Sequence, residues 1–252
     1  MDNLHYYDIN EKKPLIRGIS FSLRSGEILG IGGVEGNGQH ELIRLIMGFA
    51  RQNHGVIRLG GEDISRMDTH ARRKKGLGYV SEDRINLGVS LSSTLQENYI
   101  CGQESAPRFS RYGMLRRKVI DTEVTQIIEE YNIYGARLGA STKTLSGGNL
   151  QQFILARALA QKPDGLVVAH PTRGLDIGAI NYVREQLLQA KTENTGILLV
   201  TADLEELLAL SDRILVMYEG AFSGEISDPT NTSEEEIGLY MGGAVAQSGA
   251  EL

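Results

Sequence analysis

Two glycine-rich stretches of this chain have the residue types and spacing to hold an anion. Residues 145–152 read Leu-Ser-Gly-Gly-Asn-Leu-Gln-Gln and run into an apolar helix former, Gln152–Gln161. Ser146 is a natural helix N-cap. Gly147 and Gly148 leave backbone N–H groups unshielded at the positive end of the helix dipole. Taken alone, the octapeptide reads equally well as a helix cap with a glycine turn. The second stretch, Gly33-Val-Glu-Gly-Asn-Gly38, lies between an apolar strand, Glu27–Gly33, and an apolar helix, Glu41–Met47. The backbone N–H groups of such a loop cradle phosphate. The full pattern G-x-x-x-x-G-K-[ST] adds a lysine for the β- and γ-phosphates and a hydroxyl for Mg²⁺. Here Gln39 and His40 occupy those two positions.

The elements that must carry these stretches are legible around them. Gly165–Ala169 is a short apolar strand followed by His170-Pro-Thr-Arg-Gly-Leu-Asp176-Ile-Gly-Ala179. Gly196–Thr201 and Arg213–Met217 are two more apolar strands, joined by Ala202-Asp-Leu-Glu-Glu-Leu-Leu. Residues 83–144 turn helical and irregular, with Val119, Ile120, Val124, Ile127, Ile128 and Tyr131 forming a stripe of helical period that reads as core. The basic run Arg108, Arg111, Arg116, Arg117, Lys118 reads as a solvated face, with contact to a membrane-embedded partner as the lesser reading. The start of the chain, to about residue 26, reads as short strands with a turn at 10–14. Residues 227–236 read as a loop before a last short helix, and 244–252 as a frayed tail.

Three ordered blocks in one frame carry a family resemblance. Leu145–Gln152 resembles the signature motif of ABC-type ATPases. Gly165–Ala179 resembles their Walker B strand running into the D-loop, and Leu198–Met217 resembles the H-loop and the strand after it. The resemblance spans nearly the whole chain, to Gly243. It implies an α/β P-loop NTPase fold of the ABC type, with a mainly parallel core sheet, a small antiparallel β part and a helical subdomain. The expected division is one ABC ATPase domain, 1–243. Within it, 1–26 is the antiparallel part, 27–82 and 145–243 the core, and 83–144 the helical part. The aromatic that stacks on adenine in this family would be Tyr6 or Tyr7, though an ordinary strand aromatic is the plainer reading of either.

The departures from the family pattern are selective. Ala169 stands at the Walker B aspartate, His170 at the catalytic glutamate, Ala202 at the switch histidine and Glu82 at the Q-loop glutamine. With Gln39 and His40, these leave phosphate and Mg²⁺ poorly held, and no protein metal site is expected on this half. An imidazole at 170 has the pKa of a base, but little to act on. No catalytic residue is therefore expected here. Gly33, Gly36, Asn37, Gly38, Gln39 and His40 remain the nucleotide-binding candidates through the glycine loop. Ser146, Gly147, Gly148, Asn149 and Gln151 of the signature, and Asp176 of the D-loop, are intact. In this family those groups serve ATP held by an opposing half.

The text Gly36-Asn-Gly-Gln39, Ser81-Glu-Asp-Arg84 and Pro171-Thr-Arg-Gly174 is most similar to the second, degenerate ATPase half of sugar and nucleoside importers. That resemblance implies ATP as ligand and Mg²⁺ on the partner's site. It implies a second ATPase half as partner, expected in the same longer polypeptide, with transmembrane permease subunits and, indirectly, an extracytoplasmic binding protein. The implied location is the cytoplasmic face of the membrane.

Composition agrees. At 252 residues the chain is long enough for a substantial core. A formal net charge of −6 argues against nucleic acid as partner. The single cysteine, Cys101, excludes an internal disulfide. Two other readings compete. Gly30-x-Gly32-x-x-x-Gly36 resembles a dinucleotide-binding fingerprint, which requires a second parallel strand ending in an acid about 20 residues on. A soluble ABC protein of translation or DNA maintenance is the other reading, and no coiled-coil insertion or basic extension within these residues supports it.

Overall fold

The computed structural model describes residues 1–8 and 13–243. Most of the expected turn at 10–14, and the tail 244–252, lie outside the described residues. In chain order the first elements are β1 (Asp2–Tyr6), β2 (Ile16–Ile19), β3 (Ile28–Gly32), α1 (Gln39–Met47), β4 (His54–Val56), β5 (Arg58–Leu59) and β6 (Glu62–Asp63). Next come α2 (Thr69–Lys74), β7 (Leu77–Val80), a π-helical turn (Arg84–Gly88), α3 (Leu95–Ile100), β8 (Ser110–Arg111), β9 (Met114–Leu115) and α4 (Arg117–Glu130). The chain closes with α5 (Gly147–Leu159), β10 (Gly165–Ala169), α6 (Ile177–Thr192), β11 (Gly196–Val200), α7 (Leu204–Leu210), β12 (Arg213–Tyr218), β13 (Ala221–Ile226) and α8 (Glu234–Met241).

Six strands form the core sheet, in the order β13-β12-β3-β11-β10-β7. β3, β10 and β11 are buried along their whole length. Such unbroken apolar runs are what a parallel strand covered on both faces requires. β3 pairs in parallel with β11 on one side (Leu29 opposite Leu198) and with β12 on the other (Ile31 opposite Leu215). Gly30 lets α7 lie close on this sheet, since a Cβ there would collide with Ser211 Oγ and come within 2.9 Å of Leu207. β13 adds an antiparallel edge. Its text, Ala-Phe-Ser-Gly-Glu-Ile, has too little alternation to announce a strand, and it forms because β12 offers an open edge.

The small antiparallel sheet has the order β2-β1-β4. It therefore takes β4 from beyond residue 26, where the sequence reading placed its end. Because β4 pairs with β1 and stays out of the core sheet, the second parallel strand of a dinucleotide fold is missing, and that reading falls.

The chain divides into two compact units. One comprises Met1–Tyr79, Pro163–His170 and Gln186–Leu252; the other comprises Val80–Lys162 and Pro171–Glu185. The helical unit thus extends past residue 144 to include α5. A Cβ on Gly88 would lie 2.9 Å from Ile154 Cδ1, so the π-turn and α5 pack without a gap. Arg157 Nη2 also donates to the Gly88 carbonyl at 2.7 Å. Within this unit the α4 stripe is core, with Ile120, Val124, Ile127 and Tyr131 buried. The basic run is not uniformly a solvated face. Arg108 pairs with the buried Glu123 at 2.5 Å and lies over the Phe109 ring.

Candidate functional site

The glycine loop between β3 and α1 owes its course to backbone conformations that favour glycine. Gly33, Gly36 and Gly38 have φ of 149°, 91° and 106°. A Cβ on Gly33 would come within 2.6 Å of the Met217 carbonyl and 2.5 Å of Gln39 Nε2. Asn37 ties the loop on two sides. Its Nδ2 donates to the Val34 carbonyl at 3.1 Å, while its Oδ1 accepts from Glu219 N at 2.9 Å. α1 starts at Gln39 with Gly38 as N-cap, which supplies no side-chain cap. This is the backbone an anion needs.

The side chains tell a different story. Gln39 Nε2 turns back to the Val34 carbonyl at 3.1 Å, an amide where a phosphate site needs a cation. His40 is exposed on the first turn of α1. A cavity of about 410 Å³ lies against the loop, lined among others by Pro14, Leu15, Arg17, Asn37, Glu41 and Gly220. Neither candidate aromatic lines it: Tyr6 is buried, and Tyr7 is exposed with its N–H on Asn53 Oδ1.

Strand order brings Ala169, His170 and Ala202 toward the same end of the core sheet. Ala169 pairs with Val200, and Val200 with Ile31, so β3, β10 and β11 end side by side. That edge, at the carboxyl ends of parallel strands, is where α/β sheets bind ligands. Ala169 is fully buried and carries only a methyl. His170 adopts φ of 43°, its N–H donating to the Val200 carbonyl at 2.9 Å. Ala202 is exposed. The turn it occupies is set by Thr201 Oγ1, which accepts from Asp203 N, and by Asp203, which caps α7. The glycine-loop backbone therefore has the form of a phosphate cradle, but the residues at 39, 40 and 169 do not fit Mg²⁺, because an amide, an imidazole and a methyl offer no hard oxygen anion to it. Glu82 belongs to the other unit.

One residue at the far end of α1 is not legible in the sequence. Arg72 of α2 is completely buried. Its guanidinium donates to the Ile46 carbonyl at the end of α1 (2.6 Å) and to the Ser65 and Met67 carbonyls (3.0 Å each). A cation at a helix C-terminus complements the dipole. In the run His70-Ala-Arg-Arg-Lys-Lys75, nothing distinguishes it from its solvated neighbours.

In the helical unit, the signature residues are built as an open N-terminus. α5 begins at Gly147, where Ser146 as N-cap places its start. Ser146 is its N-cap, with Oγ accepting from Asn149 N at 3.3 Å and Nδ2 at 2.8 Å. A Cβ on Gly147 would meet nothing within 4 Å, whereas one on Gly148 would lie 3.3 Å from Ala179 Cβ and 3.8 Å from Asp176 Oδ2. The signature turn and the D-loop are thus adjacent. Asn149 Oδ1 also accepts from Tyr134 N at 2.9 Å. Gln151 is a correction to the sequence reading. It is buried and donates to the Pro171 carbonyl at 2.8 Å, so it braces the D-loop and does not face an external phosphate. Asp176 is exposed, with Oδ1 accepting from Ala179 N at 3.0 Å.

Comparison with known proteins decides the family. Residues 16–173 match the ABC transporter family. The chain belongs to that family. It is 38% identical over 244 residues to the nucleoside import ATP-binding protein NupA of Lactococcus lactis subsp. cremoris, an alignment covering 95% of this chain and 48% of that protein. The guanosine import ATP-binding protein NupO of Bacillus subtilis is 35% identical, over 91% of this chain and 45% of that one. The ribose import ATP-binding protein RbsA of Caldanaerobacter subterraneus is 34% identical, over 92% and 46%. The chain spans about half the length of these relatives. A nucleotide-free ATP-binding cassette from an ABC transporter superimposes with a TM-score of 0.76 at 21% identity, covering 96% of this chain and 93% of that one. A dimeric cassette in a post-hydrolysis state bound to ADP and Pi gives 0.75 at 19%, covering 89% and 96%. The expected ABC-type α/β fold is the observed one.

Proposed function

We propose that this chain is the ATP-binding half of an importer for nucleosides or sugars, and that its own phosphate loop does not hydrolyse ATP. In this reading its Ser146–Gly148 turn and Asp176 complete the site of a second, catalytic half. The observation that carries it is the selectivity of the losses. Every position that would process ATP on this half has changed: Gln39, His40, Glu82, Ala169, His170 and Ala202. The groups that would face a partner's ATP are kept and exposed: Ser146, Gly147 and Asp176.

Bound ATP would supply the phosphoanhydride that is cleaved, with Mg²⁺ held by the partner's residues. This chain's part is positional. The Ser146 hydroxyl and the Gly147 and Gly148 N–H groups point an unshielded helix N-terminus at a γ-phosphate, where developing negative charge is stabilised. Asp176 sits beside them at the same interface. The glycine loop keeps its phosphate cradle and binds nucleotide weakly, with little dependence on Mg²⁺. The relatives named for nucleoside and guanosine import favour a nucleoside over a sugar as cargo. No helix among the described residues is long and apolar enough to cross a membrane, so permease subunits are the proposed route to the membrane's cytoplasmic face. The catalytic half is proposed to lie in the same, longer polypeptide.

The experiment is a comparison in the assembled transporter. Ser146→Arg should stop hydrolysis and uptake, and Gln39→Ala or His170→Ala should leave both near the parent level. The opposite pattern would refute the asymmetric reading.

A further inference from the structure

The helical unit contains a closed triangle of three side-chain bonds to backbone carbonyls. Arg157 of α5 holds the π-turn through the Gly88 carbonyl at 2.7 Å. Gln151 of α5 holds the D-loop segment through the Pro171 carbonyl at 2.8 Å. Arg84 closes the third side, from the π-turn to the D-loop segment, with Nη2 on the Arg173 carbonyl at 2.9 Å. The three sides differ in burial. Gln151 is inside the core, and the Arg157 bonds are partly buried, whereas the Arg84 bond lies on the solvent side. Gly174, at φ of 67°, turns the chain so that this carbonyl can be reached, and a Cβ there would lie 3.4 Å from Arg84 Nη2.

Both ends of the Arg84 bond are otherwise well defined. Asp83 caps the π-turn, accepting from Ile85 N at 3.1 Å and from Asn86 N at 2.9 Å. On the other side, the Leu175 N–H closes a turn on the Thr172 carbonyl at 3.1 Å, and Asp176 follows directly. Removing Arg84 opens one side of the triangle and leaves the other two in place. A displacement of the π-turn would then no longer be passed to Arg173, three residues before Asp176.

We infer that Arg84 is a positioning residue that couples the Ser81–Gly88 segment to the D-loop, so that movement at one sets the orientation of Asp176 at the other. The local coupling stands on the geometry alone. Its consequence for ATP turnover rests on the function proposed above. The segment it starts from contains Glu82, at the Q-loop position, and two strongly exposed apolar side chains, Ile85 and Leu87. A partner pressing on these would be felt through Arg84.

The test has two arms, with Arg84→Ala and Arg84→Lys compared to the parent. In the purified chain, amide exchange across residues 172–176 should quicken about tenfold in Arg84→Ala, as expected for loss of one charge-assisted hydrogen bond. The melting temperature and exchange in α5 should not move. Arg84→Lys, which keeps a donor, should restore most of the protection. In the assembled transporter, Arg84→Ala should retain basal ATP hydrolysis but lose its stimulation by transported substrate, with Arg84→Lys in between. Unchanged exchange at 172–176 would overturn the brace itself, whatever the transporter does. Faster exchange with stimulation intact would overturn the coupling and leave Arg84 a local prop. Failure of the proposed function is read separately, from Ser146→Arg leaving hydrolysis unaffected.

Discussion

The glycine loop of β3–α1 and the signature turn of α5 are both helix N-termini opened by glycines, yet they have fared differently. Around the glycine loop the backbone is fully specified: Asn37 ties it to Val34 and to Glu219, and Arg72 fixes the far end of α1. In the proposed reading, the side chains that would act on a phosphate are replaced by Gln39 and His40. At the signature turn, cap, glycines and neighbouring acid are all present, and a Cβ on Gly147 would meet nothing within 4 Å. The difference teaches that the shape of a phosphate loop and its chemistry are held by different residues. On the proposed function, the loop lacks a cation and metal ligands and keeps its course.

The sharpest way to break this comparison is to exchange damage between the two regions. Ser146→Arg or Gly147→Asp places bulk or negative charge where a phosphate must sit. In an assembled transporter each should lower hydrolysis by at least about a thousandfold, the upper range for losing a preorganised anion donor. Gln39→Ala and His170→Ala should change it less than about threefold. Phosphate release measured beside substrate uptake checks both. Equal losses from the two sets would mean that the glycine loop still takes part in turnover.

A second expected effect separates the loop's scaffold from its chemistry. Arg72→Met removes a buried guanidinium and leaves the Ile46, Ser65 and Met67 carbonyls short of their donor. It should cost about 3 kcal/mol or more of stability. Urea unfolding of the purified chain measures it. A cost below about 0.5 kcal/mol, the range of ordinary surface changes, would mean that α1 holds its place without this anchor.

Much of this was legible in the sequence, for a stated physical reason. Parallel strands buried on both faces are unbroken apolar runs, and β3, β10, β11 and β12 could be read directly. The signature turn was legible because Ser-Gly-Gly before a helix is both a motif and a cap. What could not be read was pairing across distance. Arg72 looks like any basic residue until Ile46 is beside it. Gln151 looked like a phosphate ligand because it follows the motif, but helical geometry turns it inward to Pro171. The edge strand β13 lacks an alternating pattern and exists only because β12 has a free edge. Arg84 was visible within Ser-Glu-Asp-Arg, but its bond to residue 173 crosses too much chain for any local signal.

A smaller effect sharpens the chemical side of the comparison. If the loop has kept its shape and lost only its chemistry, returning the chemistry should suffice. Gln39→Lys together with His40→Ser and Ala169→Asp should raise ATP affinity about 10- to 150-fold, the worth of a charge-assisted contact of about 1.5–3 kcal/mol. The gain should appear only with Mg²⁺ present. Calorimetry with and without the metal decides it. No gain would show that the loop's course has drifted along with its side chains.

The smallest effect is a pH response that the two regions should not share. In the π-turn, Asp83 accepts first from the Asn86 N–H, then from the Asn86 amide and the Ile85 N–H, and these bonds hold its carboxyl below the ordinary aspartate value. A carboxylate whose folded pKa lies below its unfolded one stabilises above the unfolded value, about 3.9, and loses that contribution as pH falls through the lower, folded value. The glycine loop is tied instead by the Asn37 amide, which does not titrate. Between pH 6 and about pH 3, exchange corrected for its intrinsic rate should therefore quicken at Asn86 and Leu87 while Asn37, bonded to the Val34 carbonyl, stays protected. Asp83→Asn should flatten the response at the π-turn. Should both regions open together, or should Asp83→Asn respond to acid like the parent, the cap would not be what the carboxylate supplies. Aspartate is the costlier choice of tether under acid, but it is also the stronger acceptor. That suits a turn that carries a coupling arginine, as the neutral amide suits a loop that need only keep its shape.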